Sequence, residues 1–230
     1  MPFFRCKGKA ASIKLVSKYS TATTVSSSVN PSNYGQPVTI TAQVSSADST
    51  APTGMVAFYD NGTRLGEEAL SPDGTASLST AKLPNIPGGT ALSVVYEGDS
   101  QNAGSTSSAL TQIVNQAQIA ISSLVPSKNP TTQQEYTHGP SVEFTATVTS
   151  NGGMPKGYPM QLINADTGAV LGSAEVTATG VVHFWGILFP YPGTVHVEAV
   201  LTINNSEYGQ ATSEIISEQV NPGKCLRSCV

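Results

Sequence analysis

Charge is scarce in this chain: only 11 % of its 230 residues are Asp, Glu, Lys or Arg, and the formal net charge is −4. A surface so poor in charge must be wetted by hydroxyls and amides, and Ser, Thr, Asn and Gln are abundant. Long apolar runs are missing, so no segment is expected to span a bilayer as a helix. The opening MPFFRCKGKAASIKLVSKYS has no apolar stretch of the length a secretory signal requires, and export is not legible there. No window resembles a long amphipathic helix, whereas Thr, Val, Gly, Pro and Asn suit short strands and tight turns.

Cysteine is nearly absent. Cys6, Cys225 and Cys229 all lie near the ends, so neither half has a thiol in its expected core. An odd count leaves one thiol free or joins chains through a disulfide, and both outcomes stay open. The Cys225-x3-Cys229 spacing, with no histidine nearby, is a poor metal signature, so no metal is expected. Basic charge is confined as well. Arg5, Lys7, Lys9, Lys14 and Lys18 form a leader without acids, read as a solvated or anchoring arm. Residues 19 to 223 carry four basic against fifteen acidic residues, a net of −11, which excludes nucleic-acid recognition by the folded part.

Histidine is missing from the first half; His138, His183 and His196 all fall in the second. No glycine-flanked serine elbow accompanies them, so a hydrolase triad is not expected. Alternation puts His196 on the outward side of TVHVEAV and His183 beside aromatics in VVHFWG. Asp60, Asp73, Asp99 and Asp166 sit next to Asn or Gly, as turn residues do. EGDSQN (97–102) offers three oxygen ligands, fewer than calcium needs. No glycine-rich phosphate loop precedes a helix, and no cofactor is expected.

What is present is a repeat. GQPVTITAQV from Gly35 returns as GPSVEFTATV from Gly139. GTRLG (62–66) matches GAVLG (168–172), PGGTALSVVY (87–96) matches PGTVHVEAVL (192–201), and STSSALTQIV (105–114) matches ATSEIISEQV (211–220). The offset stays between 104 and 106, as a duplicated domain leaves it. In each copy apolar residues alternate: Val38, Ile40, Ala42 and Val44 in one, Val142, Phe144, Ala146 and Val148 in the other. Asp60-Asn61-Gly62 marks a hairpin turn. About seven short strands per hundred residues predict an all-β chain of two tandem two-sheet Greek-key sandwiches. The expected division is a basic tail at 1–20, sandwiches at 21–115 and 116–221, and a Cys-containing tail at 222–230.

NPSNYGQPVTITAQV, GMVAFYDNGTRLG, DGTASLST and SVVYEGDSQNAGSTS resemble the bacterial immunoglobulin-like domains of group 3, clearly over residues 21–114 and more weakly over 117–220. The resemblance implies tandem modules of bacterial surface and secreted proteins. A non-enzymatic structural or adhesive role in a bacterial surface or extracellular assembly, with protein partners, follows as the expectation. Two alternatives remain open: a virion component such as a capsid decoration or fibre subunit, and a carbohydrate-binding module that takes cell-surface polysaccharide. A homo-oligomer also stays open. HFWGILFPYPG (183–193) is the candidate contact stretch, with Trp185, Ile187, Phe189 and Tyr191 as contact residues. Parity from Val182 turns Phe184 inward and Trp185 with Ile187 outward, unless a bulge folds the indole back.

Overall fold

The computed structural model describes residues 17–48, 51–132, 141–203 and 205–222, and these contain strands and turns with no helix. The first half holds β1 (Thr21–Ser27), β2 (Ser32–Asn33), β3 (Val38–Ser46), β4 (Met55–Asp60), β5 (Thr63–Ala69), β6 (Thr75–Thr80), β7 (Thr90–Tyr96), β8 (Ser105–Thr106), β9 (Leu110–Gln112) and β10 (Val114–Asn115). The second holds β11 (Ile119–Pro126), β12 (Thr131–Thr132), β13 (Val142–Ser150), β14 (Pro159–Asn164), β15 (Val170–Glu175), β16 (Val181–Ile187), β17 (Gly193–Leu201), β18 (Ala211–Thr212) and β19 (Ile216–Asn221).

Strand order repeats with the sequence. In the first half β1-β3-β6 form one sheet and β5-β4-β7-β8 the other, with β9 also on β7. In the second, β11-β13-β16 face the set β12-β19-β17-β14-β15, with β18 on β17. Both halves also lay the short strand that follows their first long strand parallel to their last one: β2 on β10 and β12 on β19. By proximity the described chain gathers into two compact units, one of residues up to 26, 41–78 and 93–110, the other of 27–40, 79–92 and 111 onward.

The period-2 pattern decides what is buried. Val38, Ile40, Ala42 and Val44 are buried along β3, and Val142, Phe144, Ala146 and Val148 along β13. Thr90, Leu92, Val94 and Tyr96 do the same along β7. Large side chains such as Phe58, Tyr96, Phe144, Phe184, Met160 and Leu162 are almost fully enclosed, each contributing roughly 1.5–3 kcal/mol from lost apolar exposure. The β4–β5 hairpin turns on Asn61 and Gly62, both with positive φ, which the asparagine-glycine pair tolerates best.

Candidate interaction face

The polar side chains that link distant parts of the chain occur as matched sets. Asn30 donates from Nδ2 to the Thr111 carbonyl at 2.7 Å and accepts from the Ile113 amide at 2.9 Å. Asn129 repeats this on Ser217 and Gln219, at 2.8 and 3.1 Å. The amides of Ser28 and Ser127 donate to the carbonyls of Thr39 and Glu143, and their hydroxyls accept from the amides of the same two residues. Ser107 accepts from the Val94 amide and Ser213 from the Ala199 amide. Short side chains thus hold the ends of each sheet where ladder bonds run out, as buried backbone groups require.

One matched pair breaks the symmetry. Gln112, fully buried, donates from Nε2 to the carbonyls of Val29 and Ile113 and to the Ser32 hydroxyl, while its Oε1 accepts from Ser27. Its counterpart is Glu218, equally buried, whose two carboxylate oxygens find no partner among the described residues; the nearby Thr131 hydroxyl is also unpaired. The residue standing where Ser27 stood is Pro126, which has no donor. Burial therefore pushes the Glu218 carboxyl upward, with the Thr131 amide and Lys128 acting against the shift.

The turn acids are occupied by their own loops. Asp99 accepts from the amides of Thr53, Gln101 and Asn102, the Thr53 hydroxyl and the Asn102 side chain, at 2.6–3.1 Å. Those bonds, the Asn102 side chain first, hold the carboxyl far below its usual range. The calcium-like EGDSQN segment is thus a self-closing turn. In the second copy Asn205 takes the place of Asp99 and accepts from the Glu207 and Tyr208 amides. His196 reaches Asp166 at 2.7 Å through Nδ1, which holds that carboxyl below the usual range. These arrangements orient loops.

A different arrangement occupies the outward face of β11-β13-β16. Strand register aligns Val125, Thr145 and His183 in one row. His183 Nδ1 lies 2.6 Å from Glu143 Oε1 and 3.3 Å from Thr145 Oγ1. The indole of Trp185 stacks on the imidazole, centroids 5.4 Å apart and planes 23° from parallel, yet Trp185 remains 70 % exposed. A chain of carboxylate, imidazole and indole therefore fixes a large aromatic surface in solvent.

The bulge explains why. Val142 pairs with Ile187 and Phe144 with Phe184, so Glu143 faces two residues, Trp185 and Gly186, the latter at φ +71°. Of the four residues expected to make contacts, Trp185 and Tyr191 are exposed, whereas Ile187 and Phe189 are buried in the core at 2 % and 3 %. The extra residue of the bulge resets the alternation, returning Ile187 to the inside; Phe189 then meets Phe144 edge-on. Lys18 is exposed. Cys6, Cys225, Cys229, Arg5, Lys7, Lys9, Lys14 and His138 lie outside the described residues. The Glu143–His183–Trp185 chain was not signalled by sequence, because Glu143 sits on β13, 40 residues from His183 on β16.

Comparison with known proteins bears on the fold and on the first half. The model of the bacterial Ig-like domain (group 3) matches residues 20–115. No curated protein matches the chain. Among solved structures it is similar to the fibronectin(III)-like modules of Clostridium thermocellum CbhA, at 16 % identity over 87 % of this chain and 95 % of that one, with a TM-score of 0.29. It is similar to a tetra-tandem repeat from the extending region of a large adhesion protein, at 14 % identity over 87 % and 49 % of the two chains, TM-score 0.40, so it spans about half of that structure. The D0-D1 domain of intimin is similar at 14 % identity over 86 % and 97 %, TM-score 0.29. Matched β-order in both halves and the family match together make the chain an all-β protein of immunoglobulin-like sandwiches, whose residues 20–115 are similar to the bacterial Ig-like domain (group 3).

Proposed function

We propose that the chain is a non-enzymatic structural and adhesive element of a bacterial surface or extracellular assembly, built from sandwiches at 21–115 and 116–221 and working with protein partners. The observation that supports it is the parallel pair that ties the N-terminal part of each sandwich to its C-terminal part, Val114 on Ser32 in one and Val220 on Thr131 in the other. If tension is applied to the two ends of a sandwich, parallel partners are drawn in opposite directions along their axes. Their hydrogen bonds are then loaded together rather than opened one by one. Asn30 and Asn129 stitch the same junctions through two further bonds each. The similarity of residues 20–115 to that family supports the bacterial surface setting.

Stretching single molecules tests this. Two unfolding events are expected, releasing on the order of 300–350 Å each for roughly 95 and 106 residues at about 3.4 Å apiece. Asn129→Ala lowers the force of one of them. A smooth extension without discrete events overturns the reading.

A further inference from the structure

Among the described residues, Trp185 is an exposed aromatic whose ring is held by a stack on another side chain. The stack on His183, itself tied to Glu143 and Thr145, orients the indole before any partner arrives. Its ordering cost is thereby met in advance, which raises affinity for whatever docks there. Hydroxyl, carboxylate and imidazole surround it, with Val125 as the apolar member of the row. Protein hot spots are ringed by groups that exclude water, whereas this surround offers donors and acceptors.

An aromatic face carries negative charge and attracts the weakly positive C–H bonds of a flat aliphatic ring. A pyranose whose hydroxyls are all equatorial presents such a face, with its hydroxyls pointing sideways toward groups like Glu143 and Thr145. Electrostatics narrows the class further. Residues 116–221 carry two basic against eight acidic residues, a net of −6, which repels uronates and phosphate-bearing polymers.

We propose that the outward face of β11-β13-β16 binds a neutral β-linked pyranose chain, with Trp185 as the stacking surface and Glu143, Thr145 and His183 as hydroxyl partners. The inference rests on the adhesive reading above and gives it a ligand class. Trp185 is the sole tryptophan, so tryptophan emission excited beyond the tyrosine band reports on this face alone.

The full chain is titrated with chitohexaose, with mixed-linkage β-glucan, and with polygalacturonate as the anionic comparison. A saturable fluorescence change is expected with a neutral glycan and none with polygalacturonate. By calorimetry Trp185→Ala weakens that binding more than tenfold and Glu143→Gln several-fold. The exposure of Trp185 leaves its variant folded, which an unchanged thermal transition verifies. Flat titrations with both neutral glycans, unaltered affinity in Trp185→Ala, or preference for polygalacturonate overturn the proposal. Discrete unfolding events under tension alongside flat titrations separate its failure from failure of the structural reading.

Discussion

Replacing Glu218 by glutamine should stabilise the second half of the chain, because the first half already holds the solution. There Gln112 places three hydrogen bonds from one amide onto Val29, Ser32 and Ile113. The matching positions are Lys128, Thr131 and Gln219, and the Thr131 hydroxyl finds no partner among the described residues. An ionised carboxylate accepts only, so it offers nothing to the backbone carbonyls of Lys128 and Gln219, the counterparts of Val29 and Ile113; an amide donates to such groups. A buried polar group left unpaired costs about 1–3 kcal/mol, which sets the expected gain at neutral pH. In a domain of this size that corresponds to about 4–8 °C in Tm per kcal/mol.

The sign with pH is fixed by the direction of the shift. The folded carboxyl of Glu218 titrates above its unfolded counterpart. Its contribution to stability is therefore intact below the ordinary carboxylate range, about 4.3, and is lost as pH rises through the raised folded value. Calorimetric melting at pH 4.0 and 7.5 for wild type and Glu218→Gln measures this. The variant should gain at pH 7.5 and little at pH 4.0. An equal gain at both, or a lower Tm for the variant at pH 7.5, refutes the reasoning.

Two further outcomes are expected. Asn129→Ala removes both side-chain bonds to the backbone of β19, which should cost about 1–2 kcal/mol in urea unfolding. Asp99→Asn should flatten the acid limb of the first half: a carboxyl held low contributes stability above the ordinary range and loses it as pH falls toward its folded value, and a neutral side chain has no such dependence. Melting between pH 5 and 2 checks it.

Much of the architecture was legible because its causes are local. The alternation in VTITAQV and VEFTATV is the pleat of a half-buried strand, and it sets which face of β3 and β13 is inside. Asn61-Gly62 chooses the hairpin turn by backbone preference alone. The constant offset between copies predicted equal strand orders. Parity failed after Trp185, since a bulge adds one residue and turns Ile187 and Phe189 inward. No composition signal at that point distinguishes a bulge glycine from an ordinary one.

By itself, then, the sequence determined strands, turns and the duplicated order of both halves, each of which depends on neighbours a few residues apart. Only the tertiary structure decided that Asn30 reaches Ile113, that the Glu218 side chain is buried without the side-chain partners that satisfy Gln112 among the described residues, and that Trp185 lies on His183 beside Glu143. Apart from the stack within β16, those pairings join groups 40 to 90 residues apart on different strands, and register and bulges, not local preference, bring them within bonding distance.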